Sequence, residues 1–83
     1  MQVKEAVQKA SKYLPEVFDS AAGKELRLEG VERSEEGQFW KITFSYPTAA
    51  FGVESLGRAY KTVKLKDSNG EFIGAQNGAL VEL

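Results

Sequence analysis

Several groups of residues in this 83-residue chain have types and spacing that invite chemistry. Glu32, Glu35 and Glu36 crowd one short stretch, and paired carboxylates do acid–base work when burial drives their pKa values apart. They surround Ser34-Glu35-Glu36-Gly37, a polar turn signal, where water keeps carboxyl groups ordinary. Asp67, Asn69 and Glu71 alternate like calcium ligands, but an EF-hand loop needs its glycine at position six. Gly70 stands too early for that role. Ser11, Ser20, Ser34, Ser45, Ser55 and Ser68 have no histidine to activate them and no Ser-x-x-Lys spacing. The chain has no Cys and no His, which excludes disulfides, thiolate chemistry, Cys/His zinc sites, Ser-His-Asp triads and a histidine pH switch. The glycines form no phosphate-loop or dinucleotide pattern. The expectation is a non-enzymatic protein with no catalytic residue, no metal and no cofactor.

Two groups remain as candidate binding residues. Lys41, Tyr60, Lys64 and Lys66, with Phe39 and Ile73 nearby, alternate with apolar positions and so share one face of any sheet that carries them. Basic and aromatic side chains interleaved on a sheet stack bases and neutralise phosphates; the plainer reading is a solvated sheet face guarded by lysine. The second group is Phe51, Val53 and Leu56 in the 47–57 stretch, read as a long loop. There they either cap the open end of the core or form an apolar patch for a protein partner.

The elements that position these groups follow from periodicity. Val3, Ala6, Val7, Ala10, Leu14, Val17 and Phe18 recur at helical spacing, predicting a helix over 1–19 that is kinked or ended near Pro15. Gly23 then stops it. Two-residue alternation begins at Lys24, giving a strand over 24–34 with a bulge at Gly30 that returns Val31 to the face of Leu28. Trp40, Ile42, Phe44 and Tyr46 alternate through a strand over 38–46, which Pro47 is expected to end. A strand over 59–66 points Val63 and Leu65 inward. The Asp67–Gly70 turn leads to a strand over 71–76, with Phe72 on the face of Leu65 and Ile73 outside. The segment 79–83 is left as a tail. The predicted fold is α+β: one domain over 1–83, its N-terminal helix packed on a four-stranded antiparallel meander.

The ordered series Lys4-Glu5-Ala6-Val7, Leu28-Glu29-Gly30-Val31-Glu32, Phe39-Trp40-Lys41-Ile42-Thr43, Tyr60-Lys61-Thr62-Val63 and Gly70-Glu71-Phe72-Ile73 resembles short, uncharacterised bacterial proteins of PepSY-like pattern. That resemblance implies a helix followed by antiparallel strands, and a family proposed to inhibit or regulate peptidases. It supplies no catalytic residue.

Composition narrows the partners. With 11 basic and 12 acidic residues the net charge is −1, which argues against nucleic acid as a general partner. No apolar run is long enough to span a membrane, and the charged N-terminal stretch does not read as a signal peptide, so a cytoplasmic protein is expected. The leading expectation is a small binding or regulatory module that contacts a protein partner, or a second copy of itself, through the 47–57 loop or a sheet edge. The alternative is polyanion or nucleic-acid binding by Lys41, Tyr60, Lys64 and Lys66.

Overall fold

A computed structural model describes residues 1–50 and 53–78, with side chains described outside 48–50 and 53–56. The helix α1 (Val3–Val17) is followed by a single 3₁₀ turn at Asp19–Ala21. Four strands then follow, β1 (Arg27–Arg33), β2 (Phe39–Ala50), β3 (Val53–Lys66) and β4 (Phe72–Asn77). They form one antiparallel sheet in chain order, β1-β2-β3-β4, as the α+β meander predicted.

The core lies between α1 and one face of the sheet. Ala6, Ala10 and Leu14 are fully buried against Trp40, Ile42, Phe44, Tyr46, Val63 and Leu65. The two alanines let the helix backbone approach the sheet closely. Val3 and Val17, expected on the same stripe, are 51% and 44% exposed, so the buried line runs through 6, 10 and 14 alone. Tyr13, beside that line, packs on Phe72 with ring centroids 5.3 Å apart. Pro15 does not stop the helix at once. The N–H of Phe18 still reaches the Leu14 carbonyl at 2.9 Å, and the helix closes there at its C-cap.

The Gly30 bulge forms as expected: Leu28 faces Phe44 and Gly30 faces Thr43, so Glu29 is the extra residue and Val31 pairs with Ile42. The Ser34–Gly37 turn is tied by the Ser34 hydroxyl, which accepts the N–H groups of Gln38 and Phe39 at 3.0 and 3.1 Å. Phe72 stands opposite Leu65, and Ile73 is 44% exposed. The intervening turn needs a left-handed residue, which Gly70 supplies at φ 72°.

One expectation is corrected. The 47–57 segment is no long loop, because β2 continues through Pro47 to Ala50 and β3 begins at Val53. Pro47 pairs with Arg58, two positions along from the Ser45–Tyr60 pair. The Gly78 N–H donates to the Tyr60 carbonyl at 2.7 Å, so the polar backbone groups of Tyr60 point away from β2. By the two-residue alternation of antiparallel ladders, those of Arg58 and Pro47 also point outward from the pair. The N–H that proline lacks would have faced outside the ladder, so Pro47 costs no hydrogen bond and the strand runs on.

Candidate binding surfaces

The sheet face turned away from α1 carries every member of the lysine group. Its rows follow from the register. Phe39 lies opposite Lys66, Lys41 opposite Lys64, Thr43 opposite Thr62, Ser45 opposite Tyr60, and Pro47 opposite Arg58. Glu32 adds to the Lys41 row from β1, and Gly74 adds to the Lys64 row from β4. The structure thus sets two lysines directly across from one another, an arrangement that repels unless an anion lies between them. Lys64 Nζ rests 4.3 Å from the centre of the Phe39 ring. Tyr60 is on the same face but separated from the lysine pair by the threonine row.

That threonine row is buried, although no helix covers it. Thr43 and Thr62 are each 2% exposed, and their hydroxyls meet at 2.8 Å. Thr62 also donates to the Gly78 carbonyl at 3.0 Å. Beyond it lies a charged cluster. Arg27 Nε donates to Glu29 at 2.6 Å, the Ser45 hydroxyl donates to the same carboxylate oxygen, and Arg58 Nε donates to Ser45 Oγ at 2.9 Å. The Ser45 hydroxyl first, and Arg27 second, hold the Glu29 carboxyl below its ordinary range. A carboxylate so stabilised is a weak general base, and the cluster reads as an ion-paired surface patch.

Asp67, just past the end of β3, serves the helix-covered face of the sheet. It accepts the Trp40 indole N–H at 2.5 Å and Arg33 at 3.1 Å. The indole hydrogen bond is the largest cause of its lowered pKa, with Arg33 adding to it. Among the described residues no group of three His, Cys, Asp or Glu side chains is placed to hold a metal ion. No described helix is long and apolar enough to cross a membrane.

The residues named for a protein partner divide differently. Phe51 lies outside the described residues. Val53 and Leu56 belong to β3 rather than to a loop, and only their backbone is described. The tail 79–83 also lies outside the described residues. What the sequence reading missed is Arg58 and Gln76, both on the lysine face. Arg58 keeps the even-numbered step of Tyr60, Lys64 and Lys66; extending that alternation backward past Ala59 was the signal that would have found it.

The ribbon of β2 and β3 outruns its neighbours. The pairing of β1 with β2 begins at Arg27–Ser45, and that of β4 with β3 reaches Lys61–Asn77. Beyond those points β2 and β3 pair only with each other, as far as Ala50–Val53. Among the described residues, both flanks of this extension have free edges. The three comparisons made, with models of known protein families, with curated proteins and with solved structures, find nothing that matches the chain.

Proposed function

We propose that the protein is a non-enzymatic binding module that captures an extended segment of a partner protein, or of a second copy of itself, on the outer edge of β3 beyond Tyr60. One observation carries this reading: from Gly57 to Ala59 the β3 strand keeps a regular register with β2 and, among the described residues, has no strand on its other side. The β1 edge is interrupted by the Glu29–Gly30 bulge, and β4 is irregular where Ile73 is passed over between Leu65–Phe72 and Lys64–Gly74. On β2 the ribbon edge carries Pro47. Bulges and proline are the usual means of stopping strand addition. The β3 edge, Val53-Glu54-Ser55-Leu56-Gly57-Arg58-Ala59, is irregular between the Thr48–Gly57 and Ala50–Val53 pairs, but its Gly57-Arg58-Ala59 part has no bulge, no proline and no lysine. An added strand gains main-chain hydrogen bonds there, and alternate side chains supply selectivity. The low charge of this stretch suits a peptide better than a polyanion. A two-stranded ribbon is itself marginal in water, so a third strand would stabilise it. The PepSY-like pattern, with its proposed peptidase regulation, accords with a module that binds polypeptide.

The test separates backbone from side chain at one position. Arg58→Pro removes an outward N–H, whereas Arg58→Ala keeps it. Captured on a solid support from a native extract, the wild type and Arg58→Ala should retain the same partner, and Arg58→Pro should lose it. Retention by Arg58→Pro would show that the β3 edge is not the binding element.

A further inference from the structure

The outer face holds a second feature that the edge does not use. Lys41 and Lys64 are paired across β2 and β3, and both are half-buried. Among the described residues neither has a carboxylate within 4.0 Å, whereas Arg27, Arg33 and the terminal amine do. The next position in the row is Gly74, where an added Cβ would meet nothing within 4 Å. The missing side chain leaves a depression of about 200 Å³ lined by Lys41, Thr62, Lys64, Gly74, Ala75 and Gln76, with no acidic residue in its wall. Thr62 has already spent its proton on the Gly78 carbonyl, so the donors available to this space are the Gln76 amide and the two lysines that line it, the Lys64 ammonium resting over the Phe39 ring in the free chain. All this occurs on a chain of net charge −1, so the concentration of positive charge is local.

We infer that Lys41, Lys64 and Gln76 form a binding site for a phosphate monoester or inorganic phosphate. Charge decides the class. A carboxylate or a phosphodiester brings one negative charge to two facing ammonium groups, and a phosphate monoester brings roughly 1.5 to 2 at neutral pH. Glu32 stands opposite Lys41 on β1 without an ion pair to it, and against that row a dianion is drawn to the lysine pair about twice as strongly as a monoanion. The dianion's several acceptor oxygens also match three separate donors. The Lys64 ammonium, over the Phe39 ring in the free chain, exchanges that contact for the anion on binding.

The experiment is an amide NMR titration of the full chain with inorganic phosphate at constant ionic strength. Saturable shifts should centre on Lys64, Gly74, Ala75 and Gln76. Affinity should fall about tenfold or more in Lys64→Gln and in Lys41→Gln, the loss of one charge-assisted contact. Gly74→Val, which fills the depression and leaves both lysines in place, should weaken binding as well. Thermal unfolding gives an independent reading. The rise in Tm in phosphate over that in chloride should be larger for the wild type than for Lys64→Gln, a comparison that cancels the general effect of phosphate on proteins. Shifts spread evenly over the helix lysines Lys4, Lys9 and Lys12, or unchanged in the variants, would overturn the site. Tighter binding of a short single-stranded oligonucleotide than of phosphate at the same amides would overturn the monoester assignment.

Discussion

Thr62→Val should destabilise the protein more than Thr43→Val, although the two threonines face each other and are equally buried. The asymmetry comes from proton counting. Thr62 has one hydroxyl proton and gives it to the Gly78 carbonyl at 3.0 Å, so the 2.8 Å contact between the hydroxyls is donated by Thr43. Valine in place of Thr62 leaves the Thr43 donor buried without an acceptor and releases the Gly78 carbonyl, at a cost of about 2 kcal/mol. Valine in place of Thr43 removes one donor and leaves the Thr62–Gly78 bond intact, costing about 0.5–1 kcal/mol. The double variant has no stranded donor and places two good strand formers side by side, so its cost is about 1 kcal/mol or less. For a domain of this size about 2 kcal/mol corresponds to roughly 10 °C in Tm. Urea unfolding followed by fluorescence of Trp40, the only tryptophan and 5% exposed, measures all three variants. Equal or reversed costs for the single variants, or a double variant equal to their sum, would refute the assigned direction of the two hydrogen bonds.

Three other outcomes follow from the same structure. Leu14→Ala empties a fully buried position between helix and sheet and should cost about 2–5 kcal/mol by chemical denaturation. Gly70→Ala forces a side chain into the left-handed region at φ 72° and against the Lys9 stem; it should cost about 1–2 kcal/mol, with the stem able to move aside. The Glu29 and Asp67 carboxyls both titrate below their ordinary range in the folded chain. Their contribution to stability is therefore complete above the unfolded carboxyl pKa and is lost as pH falls through the folded values. Asp67→Asn should make the acid side of the stability–pH curve shallower, which a series of melts between neutral and acid pH would show.

The parts of the fold legible in the sequence are those set by local periodicity. Trp40, Ile42, Phe44 and Tyr46 announce a half-buried strand, the break in alternation at Gly30 announces a bulge, and the Asp67–Gly70 turn brings Phe72 onto the face of Leu65 under either loop length. What could not be read depends on pairing between distant residues. Whether Pro47 ends a strand depends on which way its missing N–H would point, and that is fixed by its partner Arg58. The Ala- and Gly-rich residues around it have weak strand propensity, and the cross-strand ladder overrides it. Helical spacing likewise identifies a stripe without fixing its rotation, and the close approach allowed by Ala6 and Ala10 left Val3 and Val17 outside. The lysines could be placed on one face from alternation alone. That Lys41 stands opposite Lys64, beside a glycine, required the register of a ribbon the sequence had disguised as a loop. The burial of Thr43 and Thr62 had no signal in residue type.

The β3 edge is tested most directly by hydrogen exchange at the Arg58 amide, in the isolated full chain and in complex with the captured partner. The proposed strand addition predicts fast exchange in the isolated chain and strong protection in the complex, because that N–H points out of the sheet until a third strand accepts it. Protection of Arg58 already present in the isolated monomer, or a complex in which it still exchanges fast, would contradict the proposal.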